Sequence, residues 1–187
     1  MRKTIALGIG LAAAMGILLP GSAQAGNTTV DAVVAGGALT ISAQPASATL
    51  TGAQFNQALG SQATGQFGSV TVSDGRGLPT PWTLTASSTN FVGVADPSKS
   101  VVLSPSSSLQ FGAVANPTVA PSALAGTCTV GGGNLTAPNS GVAIASGVNL
   151  LTQLNPVTCT FNPNLTLNVP ANTPPQTYRA TVTLTAA

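Results

Sequence analysis

The sequence contains no glutamate and no histidine. Its 187 residues carry five Lys or Arg and three Asp, so only 4% are charged, and only 4% are aromatic. Each shortage excludes something. Without His there is no imidazole acid–base site and no zinc site built on imidazole. Five scattered cations cannot neutralise a run of phosphates, so nucleic acid is not an expected partner. Charge-driven disorder is excluded too, because 43% of the chain is apolar.

Clustered acids are also missing. Asp31, Asp74 and Asp96 are the only carboxylate side chains. Calcium loops space their acids tightly, and hydrolysis by paired carboxylates needs two of them within about 5–10 Å. Ser98-Lys99 is adjacent rather than a catalytic Ser–Lys motif. An Asp74–Asp96 pair is the remaining catalytic arrangement, and nothing in its spacing favours it. The expectation is a protein without catalysis, metal or cofactor.

What is present begins with an export signal. Arg2 and Lys3 precede an apolar run from Ile5 to Leu19, and Ala23-Gln24-Ala25 closes it. A basic start, a short apolar stretch and a small-x-small end describe a secretory signal peptide over 1–25. A spanning helix needs roughly 20 apolar residues, so no membrane span is expected. In the remaining 26–187, Arg76, Lys99 and Arg179 balance the three Asp. The basic pI of 8.8 therefore belongs to the export signal. Residues 26–187 suffice for a single domain with a real core. In an exported chain, the only two cysteines, Cys128 and Cys159, read as one structural disulfide.

Hydrophobic periodicity is two almost everywhere. Leu39, Ile41 and Ala43 alternate with polar residues, as do Val70 and Val72, then Trp82, Leu84 and Ala86. Val142 and Ile144, then Val157, Cys159 and Phe161, then Leu165, Leu167 and Val169 continue the pattern. The last run is the most regular, with Tyr178, Ala180, Val182, Leu184 and Ala186 opposite Arg179, Thr181, Thr183 and Thr185. Such alternation marks half-buried antiparallel strands. Gly36-Gly37, Asp74-Gly75, the triple glycine at 131–133 and Pro174-Pro175 punctuate them as turns. The pattern predicts an all-β, antiparallel β-sandwich with Greek-key-like connections. Two short stretches, 53–59 and 148–154, have helix-compatible composition. Residues 113–141, rich in Gly, Ala and Pro, read as a long and sparsely packed excursion that the disulfide fastens to the sandwich. Sequons begin at Asn27, Asn134 and Asn164, as a chain rich in Asn and Thr produces by chance.

The most informative stretch is 68–91, GSVTVSDGRGLPTPWTLTASSTNF. A strand ends at Asp74, Asp-Gly-Arg-Gly turns, and Trp82-Thr83-Leu84 opens the next strand. This resembles the WxL domain of bacterial surface proteins, in the variants where a V-x-D-x-R-G turn precedes W-T-L and a later Phe, here Phe91. Tyr178 in the closing strand fits the same style. The resemblance implies a non-catalytic protein, secreted to the cell wall or extracellular space, that attaches non-covalently to a wall polymer, with peptidoglycan as ligand. One departure weakens that implication: wall-attached members carry a second W-x-L near the C-terminus, and Trp82 is the only Trp here.

Asp74, Arg76 and Trp82 are the ligand-binding candidates, as one edge on which a sugar ring stacks against the indole. The competing reading puts Trp82 in the core beside Leu84. Asp74 then closes the turn, with Arg76 paired to Asp74 or Asp96 or left solvated, and Gly75 or Gly77 supplying positive φ. The rival function is a structural subunit of a surface layer or fibre joined through strand edges, which scarce charge leaves unprotected. Partners are therefore a wall polymer or other surface proteins; the oligomeric state is not specified by the sequence. No L-P-x-T-G signal and no apolar tail are present, so covalent sorting and membrane anchoring are not expected.

Overall fold

Among the described residues there are fifteen strands, most of them short β-favouring runs between turns. They are β1 (Leu39–Ala43), β2 (Ser61–Gln66), β3 (Val70–Asp74), β4 (Pro81–Ser88) and β5 (Phe91–Gly93). Next come β6 (Ser100–Val101), β7 (Leu109–Phe111), β8 (Thr118–Ala120), β9 (Gly126–Thr129) and β10 (Gly133–Leu135). The last five are β11 (Val142–Asn149), β12 (Val157–Phe161), β13 (Asn164–Val169), β14 (Tyr178–Arg179) and β15 (Val182–Ala186). This computed structural model describes residues 37–55, 59–77, 79–121, 126–150 and 156–187. The export segment 1–25, the sequon at Asn27 and Asp31 lie outside the described residues.

All pairings are antiparallel, in sheets ordered β1-β3-β12-β8, β15-β4-β11-β9, β10-β7-β13-β2 and β14-β5-β6. The first two sheets meet along both flanks, β1 beside β15 and β8 beside β9. The Cys128–Cys159 disulfide crosses between them, from β9 to β12. Among the described strands, β5 and β6 are the only sequence neighbours that also pair. Every other ladder joins distant segments, the crossing connections of a Greek-key-like sandwich.

One core serves these sheets. Val70, Val72, Leu84 and Ala86 are wholly buried, with Leu109, Leu135 and Ile144 at 1% exposure. They arrive by alternation: the inward residues of β3, β4 and β12 are the i, i+2 set that the sequence displays. Full burial of each large aliphatic side chain stabilises by roughly 1.5–3 kcal/mol. Phe67 and Phe111 pack edge-on in the same core, ring centroids 5.5 Å apart at 70°, where the positive edge of one ring meets the negative face of the other.

Several expectations change in detail. The closing run is two strands, not one: β14 pairs with β5, while β15 pairs with β4. Alternating burial continues through Ala180 and Thr181, so the side-chain rhythm survives a change of sheet. Tyr178 closes the turn before it by donating its hydroxyl to the Pro174 carbonyl at 2.9 Å. The 113–141 segment carries β8, β9 and β10, each pairing with a different sheet. Neither helix-compatible stretch is helical where described. Residues 53–55 carry no regular structure, and Val148 and Asn149 end β11, Val148 paired with both β4 and β9 and Asn149 with β9. Two ladders override a weak local propensity; residues 56–58 and 151–154 lie outside the described residues.

Candidate functional site

Asp74 occupies the third inward position of β3, after Val70 and Val72. Continuing that alternation buries a carboxylate, at 1% exposure, which is costly unless it is paired and hydrogen-bonded. The turn that follows supplies the partner. Gly77 takes φ = 68°, a left-handed conformation that glycine adopts without steric penalty, and Arg76 folds back. The Arg76 backbone N–H donates to Asp74 Oδ1 at 3.1 Å, Nε donates to the same oxygen at 3.0 Å, and Nη2 donates to Oδ2 at 3.0 Å. Nη2 also donates to the Thr80 carbonyl at 2.7 Å. A planar guanidinium suits this two-point grip. The Asp74 hydrogen bond, with some help from its charge, holds Arg76 above the usual guanidinium pKa, while burial works the other way. Asn149 Nδ2 approaches the Asp74 carbonyl at 3.5 Å from the end of β11.

Trp82 follows as the second residue of β4, and it is buried, at 4% exposure. Opposite it in the ladder stands Gly147, which also pairs with Cys128 on the other side. The three form one row across the sheet, ending at the disulfide. A Cβ on Gly147 would lie 2.5 Å from Trp82 Cζ2 and 2.7 Å from Cε2, so the missing side chain is the space the indole fills.

Asp74 and Arg76 therefore come together in the turn after β3, while Trp82 packs at Gly147 in the neighbouring sheet. Asp74 and Trp82 face inward, and Arg76 is consumed by Asp74, Thr80 and the turn. An edge on which a sugar stacks against the indole does not form, because alternation sends Trp82 inward with Leu84 and Ala86. Asp96 lies elsewhere in the chain, in the β5–β6 turn, where its Oδ1 accepts from the Ser98 hydroxyl at 2.6 Å and the Ser98 N–H at 3.0 Å. Those bonds, the side-chain one first, lower its pKa. Among the described residues no group of three His, Cys, Asp or Glu is placed to hold a metal ion, and no helix is long and apolar enough to cross a membrane.

A different surface stands out, one that sequence reasoning passed over. In the β10-β7-β13-β2 sheet, Ala63, Leu165 and Leu167 point into the core. The alternate residues point out: Gln62, Thr64 and Gln66 from β2, and Asn164, Thr166 and Asn168 from β13. Thr166 faces Thr64 on one side and Gln110 of β7 on the other, and Gln110 faces Asn134 of β10. The result is a single row of hydroxyls and amides across all four strands. Hydrogen bonds fix part of this array: Gln62 Nε2 donates to Asn168 Oδ1 at 2.9 Å, and Asn162 Nδ2 donates to Gln66 Oε1 at 2.9 Å. At one end a shallow depression of about 440 Å³ opens beside Gln62 and Asn168, with Ser61 and Ser106 in its wall. The signal was present in sequence as the parallel triplets Gln62-x-Thr64-x-Gln66 and Asn164-x-Thr166-x-Asn168, 102 positions apart.

No family model, curated protein or solved structure matches this chain.

Proposed function

We propose that this protein is an exported, non-enzymatic module of the bacterial surface that holds a cell-wall polymer, peptidoglycan, without a covalent bond. One observation carries the reading: the outward face of the β10-β7-β13-β2 sheet is polar and free of charge. Asp74 is buried against a partly exposed Arg76 that neutralises it, Asp96 caps its own turn, and the outward positions of that sheet are Thr, Asn and Gln. Such a surface recognises through neutral hydrogen bonds and shape. It provides no pair of carboxylates converging on a reacting bond, and so favours binding over catalysis. The WxL-like turn and W-T-L stretch add support from the sequence side.

The rival reading, a subunit joined through strand edges, draws less support. β1 and β15 lie against each other, as do β8 and β9, and Thr51 exchanges hydrogen bonds with Thr64 on the outer side of β2. Covered edges are poor templates for pairing.

The test is retention of purified protein on isolated cell walls, with soluble peptidoglycan fragments as competitor. Retention should be competed by the fragments and should vary little with salt, since few ions are released when neutral groups bind. Loss of retention in moderate salt, or failure to be retained at all, refutes the proposal.

A further inference from the structure

We propose that the outer face of the β10-β7-β13-β2 sheet is the binding surface, and that its ligand is the uncharged glycan strand of the polymer rather than any charged part of it. The inference rests on the wall-binding reading above and assigns it a place and a chemistry.

The first argument is charge. Residues 60–66, 108–112, 133–136 and 162–170 contain no Asp, Lys or Arg, so an anionic polymer or a charged peptide stem would gain no ionic contact on this face. The second is group chemistry. Primary amides offer a donor and an acceptor side by side, which matches the hydroxyl and acetamido groups of a neutral sugar. Six such amides and two threonines stand in register here, spaced by about 4.8 Å between strands and about 7 Å along each strand. The side chains of Gln110, Asn134 and Asn164 have no intramolecular partner among the described residues, leaving their amides for a ligand.

Preorganisation is the third argument. Gln62 and Asn168 are bonded to each other, and Asn168 Nδ2 also donates to Ser108 Oγ at 3.0 Å. Rigid groups lose less conformational freedom when a ligand arrives. The depression beside Gln62 and Asn168 extends the flat array into a concavity. Finally, the face lacks what a protein partner needs. Protein interfaces bury aromatic or apolar anchors at their centre, and the centre of this face is Thr166 flanked by Gln110 and Thr64. A second copy of the chain would meet the same deficiency. With no aromatic ring to stack on, each contact is weak, and retention depends on many contacts along a long polymer.

The test uses the whole protein and a triple variant, Gln62→Ala, Gln110→Ala and Asn164→Ala, whose positions are exposed. A control variant, Thr83→Ala with Thr183→Ala, alters the outward face of a different sheet. Thermal unfolding establishes that all three fold. Retention on cell walls is measured with two competitors, a soluble chitin oligosaccharide and a carboxylate-bearing stem peptide. The expected result is competition by the oligosaccharide alone, retention at least tenfold weaker in the triple variant, and an unchanged control. Wild-type retention on walls that the triple variant matches would overturn the placement while leaving wall binding intact. Competition by the peptide and not by the sugar would overturn the ligand class. A dimer in dilute solution that the triple variant abolishes would make this face a self-interface and overturn both. Absence of wild-type retention refutes this inference together with the reading beneath it.

Discussion

Replacing Gly147 by Ala probes the row that joins Trp82 to the disulfide. The added Cβ would fall 2.5 Å from Trp82 Cζ2 and still closer to the Thr127 carbonyl oxygen on the neighbouring strand. Neither obstacle yields easily. The carbonyl belongs to the β9–β11 ladder, and the indole is held by a closed core. Overpacking of this kind costs about 1–3 kcal/mol. For a domain of this size each kcal/mol lowers Tm by roughly 2–4 °C, so a loss of about 2–12 °C is expected. Trp82 is the only tryptophan, which makes its fluorescence a site-specific report of urea unfolding. The midpoint should fall with the slope unchanged, and native emission should shift if the indole is displaced toward water. A double-mutant cycle with Trp82→Leu isolates the contact, because residues that touch fail to add by about 0.5–3 kcal/mol. Part of the penalty should persist in the double variant, since the Thr127 carbonyl remains. Wild-type stability in Gly147→Ala, or strict additivity with Trp82→Leu, would show that Gly147 is not the slot for the indole.

Three further outcomes follow from the same structure. Arg76→Ala strands the buried Asp74 carboxylate and should cost about 3–5 kcal/mol, whereas adding Asp74→Asn should restore much of it; equal stability of the single and double variants in urea titration would contradict this. Reduction of Cys128–Cys159, which span 31 positions, should destabilise by about 3.5–4 kcal/mol in the loop-entropy treatment, read as a drop in the urea midpoint when reductant is present. Stability should be nearly flat between about pH 5 and pH 9 for want of side chains that titrate there. The Asp96 carboxyl, its pKa lowered by Ser98, contributes fully above the ordinary Asp value and loses that contribution as pH falls through its folded value. Calorimetry showing a steep change near neutrality would refute the expectation.

Much of the fold was legible because strand alternation is a local property. Val70, Val72, Leu84, Cys159 and Phe161 face inward as their i, i+2 spacing requires. Two cysteines allowed a single disulfide, and the structure contains it. Asp-Gly-Arg-Gly was readable as a turn, while the structure chose Asp74 over Asp96 as the partner of Arg76 and Gly77 over Gly75 for the positive φ. The strand β2 was missed because Ser-Gln-Ala-Thr-Gly-Gln lacks the β-branched apolar residues that mark strands; pairing with β13 makes it one.

Tertiary structure alone decided where the functional candidates stand. Sequence offered Trp82 as either core or ligand platform, and pairing with Gly147 puts it inside. The amide face could not be seen in any one segment, since its rows join β2, β7, β10 and β13 across as many as 106 positions. Nearly every ladder here links strands that are not sequence neighbours. Alternation tells each strand which side is wet, but not which other strand lies beside it. Register settles that, and register depends on how the buried sides pack together.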